Sequence, residues 1–85
     1  MSESIIVRVR LFAAPREALR TGEIEVKLGA GATVDDLLNR LSGTYPVLHQ
    51  YIDHLGVAVN RVYANRQTPL NDGDEVACLP PVGGG

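Results

Sequence analysis

Eighty-five residues, 45% hydrophobic and 21% charged, make one domain with a single core, and a net charge of −2 with evenly mixed signs sets aside nucleic acid as the main ligand. No apolar run approaches the roughly 20 residues of a membrane helix, and the opening Met1-Ser2-Glu3-Ser4 lacks the basic-then-apolar order of a secretory signal. One cysteine excludes a disulfide framework and suits a reducing, cytoplasmic setting.

From Ile5 to Phe12 the residues alternate, Val7, Val9 and Leu11 on one face and Ile6, Arg8, Arg10 and Phe12 on the other. That period of two predicts a half-buried strand. Ala13 to Arg20 carries Pro15 near its start and stops at Thr21-Gly22, which predicts a short helical turn or loop. Glu23 to Leu28 alternates again with Ile24, Val26 and Leu28 inward, a second strand in a hairpin-like pair with the first. Arg8 and Arg10 are then placed to pair with Glu23 and Glu25 across the two strands.

Gly29 to Ala32 reads as a turn, and Thr33 with Asp36 has the spacing of a capping box. Val34, Leu37, Leu38 and Leu41 form one apolar stripe of a helix that Ser42-Gly43 is expected to end. Pro46 to His54 predicts a second short helical segment, Val57–Ala64 a further strand, and Asn65 to Pro69 a turn-rich connection. Asn71-Asp72-Gly73-Asp74 is a turn signal before a last strand from Glu75 to Leu79. The order predicts an α+β domain over residues 1–79, one main helix packed on one mixed sheet.

Residues 80–85 form the expected tail. Pro80 and Pro81 fix φ and favour an extended exit, Val82 follows, and Gly83, Gly84 and Gly85 carry no Cβ. Such a flexible thread fits a slot too narrow for other residues, places a terminal carboxylate at the far end, and reaches roughly 20 Å.

Other constellations read as structural. Cys78 shares a face with Val76 and points inward as an inert thiol. His49 and His54 miss the i, i+4 spacing of a helical metal pair, and Asp72-Gly73-Asp74 lacks the calcium-loop ligand series. No Ser/His/Asp set, phosphate loop or catalytic carboxylate pair is present in the pattern.

Three segments carry a resemblance: Val9-Arg10-Leu11-Phe12-Ala13-Ala14-Pro15-Arg16-Glu17, Ala58-Val59-Asn60, and Pro69-Leu70-Asn71-Asp72-Gly73-Asp74-Glu75-Val76-Ala77 leading into Pro80-Pro81-Val82-Gly83-Gly84-Gly85. In these the chain resembles the MoaD/ThiS family of ubiquitin-like sulfur carriers, most of all the small-subunit type of molybdopterin synthase. The resemblance implies a ubiquitin-like β-grasp fold and a carrier with no activity alone. It implies that an E1-like adenylating enzyme uses ATP to activate the Gly85 carboxylate and that a sulfur donor converts it to a thiocarboxylate. The tail then enters a large synthase subunit, in a heterotetramer of two small and two large subunits, and sulfur passes to a pterin precursor in molybdenum cofactor biosynthesis. No stably bound cofactor or metal is implied.

Two positions depart from the family pattern: Gly83 replaces a non-glycine residue, and Leu79 replaces an aromatic before the Pro-Pro pair. Phe12, Tyr63 and Leu79 are expected to form an exposed apolar patch at the tail root that docks partners. The same tail chemistry would serve thiamine, cysteine or tRNA thiolation. A ubiquitin-like protein modifier and a plain interaction module are the readings from other classes.

Overall fold

The computed structural model describes residues 3–79, so the expected tail from Pro80 to Gly85 lies outside the described residues. The elements in chain order are β1 (Ser4–Leu11), α1 (Ala13–Leu19), β2 (Glu23–Gly29), α2 (Val34–Thr44), a 3-10 turn (Pro46–Leu48), α3 (His49–Ile52), β3 (Gly56–Val59), β4 (Val62–Ala64) and β5 (Glu75–Leu79). The sheet order is β2-β1-β5-β3-β4. β1 and β5 run parallel, and the other neighbours are antiparallel.

β1 alternates exposed and buried residues along its whole length, as its sequence dictates. Its inner residues Val7, Val9 and Leu11 pack with Val76 and Cys78 of β5 and with the Val34, Leu37, Leu38 and Leu41 stripe of α2. These residues are all but sealed from solvent. One helix across one sheet face therefore makes the single core expected for this length.

The capping box at the start of α2 is present. The Thr33 amide donates to Asp36 Oδ2 at 2.9 Å, and the Asp36 amide donates to Thr33 Oγ1 at 3.4 Å. Asp35 and Asp36 occupy the first turn, where the helix dipole favours negative charge.

Three expectations are corrected. The main helix does not stop at Ser42-Gly43 but runs to Thr44, with the Tyr45 amide donating to the Leu41 carbonyl at 2.8 Å. Burial of Leu41 and Leu48 outweighs the cost of a helical glycine, about 1 kcal/mol. The segment Val57–Ala64 is two strands, turned at Asn60 and Arg61 with φ of 51° and 71°, the positive pair that a two-residue mirror-type hairpin turn requires. Finally, Arg8 lies opposite Glu25 and Arg10 opposite Glu23 in register, yet the ion pair Arg10 makes is with Glu75 at 4.0 Å. β5 lies on the other flank of β1 and brings its carboxylate into reach.

Candidate functional site

The site is built around β5, because the tail continues from its last residue. β5 is held on both sides, by parallel β1 and antiparallel β3. Its entry is fixed by the turn at residues 71–74. Gly73 has φ +86°, a conformation open to glycine, and its amide donates to the Ile6 carbonyl at 2.9 Å. The Ile6 amide donates to Asp72 Oδ1 at 2.8 Å. This turn therefore extends the pairing of β1 ahead of the start of β5, which is the structural task of the Asp-Gly-Asp run.

Asp74 is the buried acidic residue of the described chain. Its carboxylate accepts from the Asn71 amide at 2.8 Å and from Asn60 Nδ2 at 2.9 Å. Asn60 Oδ1 in turn accepts from the Glu75 amide at 3.0 Å, and the Asn60 amide donates to the Glu75 carbonyl at 2.7 Å. The β3–β4 hairpin is thus clamped to the start of β5. Sequence reading missed this clamp. Its available signal was an asparagine, a residue that tolerates positive φ, inside an otherwise β-branched run.

On the outer sheet face one rung carries Arg10, Ala77, Ala58 and Tyr63 across four strands. In the next rung Leu79 opposes Gly56. Phe12 follows Leu11, which opposes Cys78, and so stands level with Leu79. The three residues singled out from the sequence share this face, but their exposure differs. Phe12 and Leu79 are half-buried, and the Arg10 guanidinium lies 5.9 Å from the centre of the Phe12 ring, within cation–π range. Tyr63 is 83% exposed, far beyond what sheet closure requires. The face is a small-residue floor of Ala58 and Ala77 beside three larger apolar side chains at the root of the tail. Pro80, Pro81, Val82, Gly83, Gly84 and Gly85 lie outside the described residues.

Cys78 faces the core, and burial pushes its thiol up from the ordinary 9.0 to about 12. At neutral pH it is a protonated, inaccessible thiol and a poor nucleophile. Among the described residues no group of three or more His, Cys, Asp or Glu side chains is placed to hold a metal, and no helix is long and apolar enough to cross a membrane. The His49 ring Nδ1 lies 2.7 Å from Ser42 Oγ, a tie between α3 and α2.

A mixed sheet with its first and last strands parallel in the middle, wrapped on one main helix, defines the ubiquitin-like β-grasp class. Within it, the ThiS family profile matches residues 9–85, and the chain belongs to that family. A molybdopterin synthase sulfur carrier subunit from Mycobacterium tuberculosis is 42% identical over 82 residues, covering 95% of this chain and 99% of the relative. The crystal structure of small archaeal modifier protein 1 of Haloferax volcanii superposes with a TM-score of 0.84 at 31% identity, covering 92% of this chain and 99% of that one. A protein–protein complex of subunits 1 and 2 of molybdopterin-converting factor from Helicobacter pylori superposes with a TM-score of 0.68 at 27% identity over 95% of this chain and 100% of the other.

Proposed function

We propose that this chain is the sulfur carrier subunit of a molybdopterin synthase, with the Gly85 carboxylate as the group that carries sulfur. The observation that carries the reading is the near full-length match, at 42% identity, to a relative of that name, in a family profile that runs through Gly85.

In this reading an E1-like enzyme joins the Gly85 carboxylate to the α-phosphate of ATP and releases pyrophosphate. A carboxylate is a poor electrophile until one oxygen becomes part of a leaving group, and AMP supplies that leaving group. Sulfide-level sulfur from the donor then attacks the acyl carbon, the C–O bond to AMP breaks with its electrons leaving on AMP, and a thiocarboxylate remains. A terminal glycine carries no Cβ beside the reacting carbonyl, which leaves it unhindered. Phe12, Leu79 and Tyr63 dock the partner's surface, so that the thread enters the partner's active site from a fixed root. The complex of two converting-factor subunits from Helicobacter pylori supports a large subunit as that partner. The sulfur bonds to a carbon of a pterin precursor, water attacks the Gly85 carbonyl as its C–S bond breaks, and the carboxylate returns for another cycle.

A second reading, a protein modifier, is favoured by the likeness to small archaeal modifier protein 1. Lys27 is the one lysine of the sequence, so any chain built through this protein's own lysines would run through that side chain.

Incubation with an activating enzyme, ATP and a sulfur donor, followed by intact-mass measurement, tests the carrier reading. One oxygen should be exchanged for sulfur, and deletion of Gly85 should abolish the exchange while leaving the fold intact. Loading of the truncated chain would overturn the mechanism. Isopeptide-linked products, with no thiocarboxylate, would favour the modifier reading.

A further inference from the structure

Among the described residues, Ala13, Arg20, Asn60 and Arg61 take a positive φ without being glycine, a region that the Cβ of an L-residue disfavours. Two of them have a local reason. Asn60 is of a type that tolerates the region, and its side chain clamps Asp74 and the Glu75 amide. Arg20 closes α1, its amide donating to the Arg16 and Glu17 carbonyls, and a cation is favoured at a helix C-terminus. Ala13 carries only a methyl group. Arg61 is left without such a reason.

Arg61 has φ 71° at the second position of the β3–β4 turn, where glycine is the preferred residue. Its guanidinium makes no hydrogen bond or ion pair among the described residues. The carboxylates of the elements around the turn are engaged elsewhere. Asp74 accepts from the Asn71 amide and Asn60 Nδ2, Asp72 accepts from the Ile6 amide, Glu75 lies 4.0 Å from Arg10, and Asp35 and Asp53 share Arg66. The turn thus presents one uncompensated cation on a backbone that glycine would relax.

Arg61 also opens an exposed run, Arg61-Val62-Tyr63, that ends on the side chain assigned above to partner docking. It stands two residues from Tyr63, roughly 7 Å along the strand. Tyr63 is level with Ala58 and Ala77, two residues short of Leu79, so the turn and the tail root are roughly 14 Å apart along the strands. An interface of about 800 Å² on each partner is roughly 30 Å across and covers both.

We infer that Arg61 is a charged contact of the large synthase subunit, its guanidinium meeting a carboxylate on that subunit's surface beside the place where Tyr63 docks. This rests on the carrier reading and deepens it. Backbone strain is retained at Arg61 because binding uses the side chain. An exposed cation at an interface rim acts chiefly on the association rate and its salt dependence.

The test is stopped-flow association of the full chain with the large subunit at low and high salt, with chemical denaturation of each variant alone. Arg61→Gly should lower the unfolding constant roughly threefold and slow low-salt association roughly fivefold, the second difference fading at high salt. Arg61→Glu keeps the Cβ and reverses the charge, so it should slow association further with no gain in stability. Arg61→Lys should keep most of the rate. Association of Arg61→Gly as fast as that of the unaltered chain, faster association by Arg61→Glu, or a loss of stability in Arg61→Gly would each overturn this inference alone. No association by the unaltered chain would end the carrier reading together with it, and sulfur loading at Gly85, measured apart, tests that reading by itself.

Discussion

The two faces of the sheet come from the same alternation and serve different ends. The inner face of β1 and β5, Val7, Val9, Leu11, Val76 and Cys78, is sealed under α2. The outer face mixes arginines, small residues and the Phe12, Leu79 and Tyr63 side chains, with Tyr63 83% exposed. Stability is concentrated on the first face, and the most exposed of the large apolar side chains, Tyr63, lies on the second. A side chain moved by one residue in register would change faces, so the division depends on every strand keeping its register.

That division breaks most severely from within. Leu38→Ala removes a side chain that is 1% exposed and should cost about 2–5 kcal/mol in chemical denaturation. A loss near zero would show that the inner face is not the stabilising one. Next in size is Asn60→Ala, which takes a partner from Asp74 and from the Glu75 amide while leaving a positive φ behind. A loss of about 1–3 kcal/mol is expected. Asn60→Gly relieves the backbone alone, so recovery of part of the loss would separate the two causes. Thr33→Ala at the helix cap should cost about 1 kcal/mol.

The inner face also carries a pH signature. Below its ordinary 9.0 the Cys78 thiol is neutral in both folded and unfolded chains. Above it the unfolded thiol ionises while burial holds the folded one protonated up to about 12, so folding stability falls as pH rises. The fall between pH 8 and pH 10 should be smaller in Cys78→Ala, which isolates this thiol from the other groups that titrate there. On the outer face Tyr63→Ala should shift stability by less than about 0.5 kcal/mol, yet weaken capture of the large synthase subunit by about 2 kcal/mol if Tyr63 anchors that interface. Stability and binding lost together would erase the contrast between the faces.

Legibility in the sequence followed the range of the forces involved. Strand faces in β1 and β2, the Thr33–Asp36 cap and the turn at residues 71–74 are set by neighbours a few residues apart. They could be read directly because steric alternation, capping hydrogen bonds and glycine's freedom act locally. The family resemblance was legible for the same reason, since its motifs are contiguous.

Other features needed the assembled fold. The hairpin at Asn60 and Arg61 contains no glycine and is held through Asp74 and Glu75, partners 14 and 15 residues away. Arg10 chose Glu75 over Glu23 because strand order, not sequence distance, set its neighbours. α2 passed through Gly43 because core burial outweighed local propensity. β2 lies at the sheet edge because β5 takes the other flank of β1, an arrangement fixed by long-range pairing. Sequence by itself determined which side chains share a face and where the chain turns. Which faces meet and which edge stays open were decided in three dimensions, where hydrogen-bond pairing and apolar burial join residues that the chain keeps far apart.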